Sequence, residues 1–256
     1  MEKTWITPDG TSYALYKDML KQPHMLIAGA TGSGKSVVIN ALMYHALYHA
    51  PGNCDLILID PKKVELAAYR RLPHCIAYAC EITDIIAALE RAVSIMKRRI
   101  STMQRKGIKE WNGGDLYVVI DEFADLMVLA KKQCKPLLCE IAMLGRAARV
   151  HLIAATQRPT RDIIDGSIKV NMDSRLALRC PTAQDSRNII NISGAELLPR
   201  YGQGYYLTPD TVQPQLYNLP MISYDELTKR CEFWEEQKHP LKRLIKAFRY
   251  KHSLQY

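Results

Sequence analysis

The chain has 256 residues, 48% of them apolar and 24% charged, which is ordinary for a soluble globular protein with a sizeable core. Lysine and arginine outnumber aspartate and glutamate by 35 to 26, giving a net charge of +9; that excess favours a polyanionic partner such as nucleic acid. The seven cysteines contain no C-x-x-C pair, which argues against zinc and for reduced cytosolic thiols. No apolar run approaches the ~20 residues of a membrane span, and "MEKTWITPDG" has no apolar core of a signal peptide.

Residues 1–22 read as a lead-in with a turn at Pro8-Asp9-Gly10. "HMLIAGA" (24–30) predicts a strand and residues 36–49 a helix. "DLILID" (55–60) is a strand bracketed by turn residues, and "CIAYA" (75–79) another. Residues 81–106 predict a long helix, with Ile82, Ile85, Ile86, Leu89 and Val93 at helical spacing. "LYVVID" (116–121) follows the Asn112-Gly113-Gly114 turn as a strand. A helix over 135–148 and a strand "VHLIAAT" (150–156) come next, then strands "RLALR" (175–179) and "GYYL" (204–207). Near-continuous apolar strands alternating with helices imply an α/β fold, a mostly parallel central sheet with helices on both faces. From residue 221 the pattern changes. Ser223 and Glu226 have capping-box spacing ahead of an amphipathic helix, and Leu241, Leu244, Ile245 and Phe248 line a basic one. The organisation expected is a lead-in (1–22), one large domain (23–220) and a helical basic tail (221–256) that docks on the domain, grips a partner or binds an anionic surface.

Ligands of parallel sheets sit at the carboxyl ends of the strands, and the informative residues do follow strands. Gly29-Ala30-Thr31-Gly32-Ser33-Gly34-Lys35-Ser36 matches G-x-x-x-x-G-K-[ST] between a predicted strand and helix. Its glycines let successive N–H groups face phosphate oxygens, and the helix N-terminus adds partial positive charge. Lys35 reaches the β- and γ-phosphates, and the Ser36 hydroxyl ligates Mg²⁺. The stretch "VVIDEFAD" (118–125) places two carboxylates directly after an apolar strand. Asp121 there would hold Mg²⁺, directly or through water. Glu122 is the candidate general base for an attacking water; its bland alternative is a helix cap or an arginine partner. Thr156 and Gln157 end the next strand, where a glutamine can report on the γ-phosphate. Arginines then recur at 146, 149, 158, 161, 175, 179 and 187, as phosphate contacts, as an arginine finger for a neighbouring site, or as plain surface charge.

Taken together, "PHMLIAGATGSGKSVVINAL", "LILIDPKKVEL", "VVIDEFADLM", "GRAARVHLIAATQRPTRDIIDGSIKVN", "SRLALR", "DSRNII" and "GAELL" resemble, in order, the motor domain of the FtsK/SpoIIIE family. The likeness spans about residues 23 to 210. It implies a RecA-like P-loop NTPase that takes ATP and Mg²⁺ and assembles into a ring, commonly a hexamer, on double-stranded DNA in the cytoplasm. Lys35 and Ser36 then correspond to the P-loop pair, Asp121 to the metal aspartate, Glu122 to the catalytic glutamate and Gln157 to the sensor. Arg146 in "GRAA" matches the position of the family's arginine finger, with Arg175 as second choice. Pore contacts to DNA fall on Arg158, Lys169 and Arg187. Ala183 stands where the family often has a basic residue, and Arg179 is the compensating candidate. No membrane region precedes the motor and no winged-helix module follows it, so the resemblance suggests a trimmed segment or a minimal member of mobile-element type. Membrane-associated or relaxase-type partners stay open. A protein-translocating ATPase of a secretion system shares the same core and is the rival reading.

Overall fold

The computed structural model describes residues 20–49, 53–219, 229 and 231. Six strands run parallel: β1 (His24–Ala28), β2 (Cys54–Ile59), β3 (Cys75–Ala79), β4 (Asp115–Ile120), β5 (Val150–Thr156) and β6 (Ser174–Ala177). Two more, β7 (Gln203–Leu207) and β8 (Gln215–Asn218), add antiparallel beyond β6. The order across the sheet is β3-β2-β4-β5-β1-β6-β7-β8. The helices are α1 (Lys35–His49), α2 (Ile82–Lys106), α3 (Phe123–Leu129), α4 (Lys131–Leu144), α5 (Gly166–Asn171) and α6 (Ala183–Ile190).

β1, β4 and β5 are buried at every position. Side chains alternate across a strand, and both faces are covered. On β4, Leu116, Val118 and Ile120 pack into the layer of α2, α3, α4 and α5. Tyr117 and Val119 pack on the other side with Val38, Ile39 and Leu42 of α1. This explains why these strands read as unbroken apolar runs. Each fully buried Val, Ile or Leu contributes about 1.5–3 kcal/mol, so the strand ends that carry the polar residues are fixed by the core beneath them.

The mixed, mostly parallel sheet with helices on both faces is the fold the sequence predicts. Boundaries shift at one helix. The expected helix over 135–148 runs instead as α4 from Lys131 to Leu144, with Pro136 inside it. It ends at Gly145, where a Cβ would lie 2.6 Å from the Val150 carbonyl and 2.9 Å from His24 Cε1. Residues 145–149 are a turn closed by the Arg149 N–H on Arg146 O, with Arg149 at φ 52. The predicted turn at Pro8-Asp9-Gly10 and the tail helices lie outside the described residues; Cys231 is buried in the layer that holds α1. Among the described residues no helix is long and apolar enough to cross a membrane.

Candidate nucleotide site

The loop between β1 and α1 hangs from two neighbouring strand ends. The Gly29 N–H donates to Thr156 O (3.3 Å) and the Ala30 N–H to Arg179 O (2.8 Å). Gly29 is obligatory there, because a Cβ would meet Ser33 Oγ at 2.6 Å and Leu178 Cβ at 2.8 Å. Gly32 and Gly34 take φ of 71 and 101, a region that disfavours side chains. Thr31 and Gly32 are exposed, Ser33 and Lys35 buried, and Ser36 half-buried. Lys35 Nζ donates to the carbonyls of Gly29 and Ala30, both at 2.8 Å. Burial pushes its pKa down to about 8, against the opposing pull of Glu122 and Asp121. The hydroxyl of Ser33 is buried and has no partner among the described residues. A bound phosphate satisfies such a set: N–H groups, a lysine and an unpaired hydroxyl on one loop.

An acidic corner faces this loop. Asp60 ends β2 and Asp121 ends β4, and these strands are adjacent; the Asp121 N–H donates to Ile59 O at 3.1 Å. Asp60 Oδ2 accepts from the Leu66 N–H and the Tyr78 hydroxyl, both at 3.1 Å, while Oδ1 is buried and unpartnered. Burial raises the Asp121 carboxyl to about 6, reinforced by Glu65, Asp60 and Glu122 and opposed by Lys62. A carboxylate so loaded with like charge favours a cation beside it. Among the described residues no cluster of three His, Cys, Asp or Glu side chains is arranged to hold a metal alone. Mg²⁺ takes few protein ligands and completes its shell with phosphates and water. Asp121 and Ser36 are the residues that would hold it.

Glu122 is 3% exposed and fully engaged. Oε1 accepts from the Thr156 hydroxyl (2.9 Å) and the Gln157 N–H (3.1 Å), and Oε2 pairs with Lys62 Nζ at 3.3 Å. It occupies the position before α3 but makes no side-chain cap bond there, so the helix-cap reading fails. Gln157 Oε1 accepts from Thr31 Oγ1 at 2.5 Å. One unit therefore contains Thr31, Lys35, Asp121, Glu122, Thr156 and Gln157.

Arg146 lies elsewhere. It precedes β5, whereas Gln157 follows it, and seven residues of strand span about 20 Å. Its exposed guanidinium donates to Lys21 O (2.8 Å) and Gln22 Oε1 (3.0 Å). Arg175 is tied inside its own chain, donating to the carbonyls of Met172 (3.2 Å) and Ile189 (3.0 Å). The basic residues expected on DNA come from different elements. Arg158 and Arg179 are exposed just past the ends of β5 and β6, and Arg187 is exposed on α6. Lys169 on α5 is half-buried near Arg175 and Arg161; burial first, then those two charges, lower its pKa.

Lys62 and Asp60 belong to the site and were assigned no role from sequence, although they lie in the quoted "LILIDPKKVEL". The signal was available: a strand ending in Asp, as in "VVIDEFAD".

Comparison with known proteins places the chain in a family. The sequence model of the FtsK/SpoIIIE family matches residues 4–117 and 114–161. The DNA translocase FtsK of Helicobacter pylori (strain J99) is 39% identical over 238 residues, covering 86% of this chain and 28% of that protein. The DNA translocase FtsK of Pseudomonas syringae pv. tomato is 34% identical over 260 residues, covering 87% and 32%. The chain thus spans about a third of the length of these curated relatives. Among solved structures, the pCW3 conjugation coupling protein TcpA, a monomer form with ATPγS, superposes with a TM-score of 0.74 at 22% identity, covering 84% of this chain and 65% of that one. The cytoplasmic domain of the Thermomonospora curvata type VII secretion ATPase EccC gives 0.69 at 24% identity, covering 82% and 28%. These structural likenesses establish a shared fold. The family model covers well over half of the sequence, and the chain belongs to the FtsK/SpoIIIE family.

Proposed function

We propose that the chain is the ATP-hydrolysing motor of a double-stranded DNA translocase, with residues 23–220 as the motor domain, working in the cytoplasm as a ring, commonly a hexamer. The observation that carries this reading is Glu122. It is a buried carboxylate fixed by Thr156, the Gln157 N–H and Lys62 beside a phosphate-binding loop. A switch protein that merely binds nucleotide has no need of a base held so firmly, whereas a motor that turns over does.

In this reading Lys35 leaves the Gly29 and Ala30 carbonyls for the β- and γ-phosphates. Mg²⁺, held by Ser36 and Asp121, supplies charge neutralisation at the phosphates when bound. Glu122 orients a water and accepts its proton, and Gln157 senses the γ-phosphate through the same loop that Thr31 occupies. Arg146 faces away from its own site, which suits a finger that completes the site of an adjacent subunit. The relatives named as DNA translocases and the +9 net charge favour DNA as the cargo. Exposed Arg158, Arg179 and Arg187, with Lys169, would grip phosphates irrespective of sequence. Such a motor would serve DNA transfer, segregation or mobile-element processing.

The test is steady-state ATPase rate with and without long duplex DNA, at low and moderate salt, with and without Mg²⁺. Strong stimulation by duplex that fades as salt rises supports a DNA motor. Mg²⁺-dependent turnover indifferent to DNA would shift the reading to a protein-translocating ATPase of a secretion system.

A further inference from the structure

A cation that no motif marks lies against the P-loop. A Cβ built on Gly32 would be 3.2 Å from Arg200 Nη2, 3.8 Å from Nε and 3.9 Å from Cζ. The Nη2–Nε edge of the guanidinium, the edge that forks around an oxyanion, therefore lies against an exposed part of the phosphate loop. Arg200 is distant in sequence, in the segment between α6 and β7, and it is held in place on both sides. Before it, Ala195 and Leu198 are buried with Ala28, Ala177 and Cys180, and Ala195 O accepts the Cys180 N–H at 3.1 Å. Pro199 stiffens the approach. After it, Gly202 O accepts the Leu219 N–H at 2.7 Å. The guanidinium also rests over the Tyr201 ring, 5.3 Å from its centre.

Arg200 is exposed, and among the described residues none of the ion pairs involves it. Two other basic residues of the site are already engaged. Lys35 is turned onto loop carbonyls and Lys62 onto Glu122. Arg200 combines a fixed backbone, a charge with no ion pair among the described residues and a guanidinium placed against the loop. A guanidinium left without a carboxylate beside a phosphate-binding loop is complementary to the ligand of that loop.

We infer that Arg200 is a nucleotide ligand supplied in cis, binding the polyphosphate of ATP from the outer side of the P-loop. This rests on the reading of residues 29–36 as the phosphate site. It assigns the residue a role different from that of Arg146. Arg146 would act on a neighbour and only in an assembled ring, whereas Arg200 acts in each chain, assembled or not, and acts on binding.

The experiment is a titration of ATPγS into the DNA-free chain at one fixed salt concentration, for wild type, Arg200→Ala, Arg200→Lys and Lys35→Ala. A lost charge-assisted hydrogen bond predicts that Arg200→Ala weakens binding about tenfold or more. Arg200→Lys should fall between, keeping the charge without the fork. Melting temperatures of the Arg200 variants should match wild type, because the side chain is exposed. Wild-type binding with unchanged affinity in Arg200→Ala would overturn the inference alone. Unchanged ATPγS affinity together with weaker duplex binding, read by a separate titration of duplex DNA into the same variants, would overturn it too and would make Arg200 a DNA-backbone contact. Absence of ATPγS binding by the wild-type chain would overturn the phosphate-site reading and this inference together.

Discussion

Thr31 Oγ1 donates a 2.5 Å hydrogen bond to Gln157 Oε1, joining the P-loop to the end of β5 through one side-chain pair. The two residues are far apart in sequence, and the bond lies on the exposed lip of the site. A γ-phosphate arriving beside Thr31 would compete with Gln157 for that hydroxyl. Gln157 is thus placed to change partner with nucleotide state, and its backbone already holds Glu122. Replacing Gln157 by Ala should leave ATPγS affinity within a few-fold of wild type and lower kcat about 10²-fold, the usual effect of removing one donor aimed at the reacting centre. Binding and single-turnover assays on the same preparation separate the two. An equal loss of affinity and rate would assign Gln157 to uniform binding instead.

Lys62 is the cationic partner of the buried Glu122 carboxylate. Removing it by Lys62→Met leaves Glu122 Oε2 without its ion pair in a corner that also contains Asp60, Glu65 and Asp121. The lysine side chain is 44% exposed, so water recovers part of the loss and the destabilisation should be only about 1 kcal/mol. Adding Glu122→Gln removes the unpaired charge, and the double variant should regain that stability while staying inactive. Chemical denaturation of the four proteins in the cycle measures the coupling; additive effects would show that the pair is not energetically linked.

The fold was legible because its strands are apolar on both faces. Leu116 to Ile120 alternate between two buried layers, and no surface-facing residue interrupts the run. The site core was legible for a related reason: polar residues after such runs have few explanations besides a ligand. Short elements were not. α3 and α5 have seven and six residues, less than two turns, too few for a period to emerge. Lys62 and Arg200 were missed because each acts through a partner brought close only by folding: Lys62 reaches Glu122 across neighbouring strand ends, and Arg200 reaches Gly32 across the β1–β6 edge. No local pattern encodes that proximity.

Arg146 and Glu122 should complement each other only between subunits. Arg146 precedes β5 while Glu122 contacts Thr156 and Gln157 at its far end, so no side-chain rotation brings both to one nucleotide. Arg146→Ala and Glu122→Gln rings should each be nearly inactive. Mixed rings should recover part of the ATPase rate wherever an intact glutamate meets an intact arginine across an interface. Titrating one variant into the other reads this directly, and no recovery at any ratio would exclude a finger at residue 146.

The end of the sheet opposite the nucleotide carries an acid-sensitive weakness at His24. Its ring is 5% exposed; Nδ1 accepts the Leu152 N–H at 3.2 Å, and Nε2 has no partner among the described residues. Burial, then the charges of His151 and Arg146, lower its pKa from 6.5 to about 3. The folded chain therefore keeps His24 neutral where the unfolded chain protonates it. Stability from this residue is complete above the unfolded pKa and declines as pH falls from about 6.5 towards about 3. Between pH 7 and 5 the loss should be about 2 kcal/mol. Asp121 works in the opposite sense: its raised pKa adds stability at low pH that is lost as pH rises through about 6. The test is accordingly a difference between two proteins. His24→Gln, which keeps an acceptor for Leu152, should be less stable than wild type at pH 7 but lose about 2 kcal/mol less on going to pH 5. Parallel denaturation curves with the same pH slope for both would show that His24 titrates alike in the folded and unfolded chain.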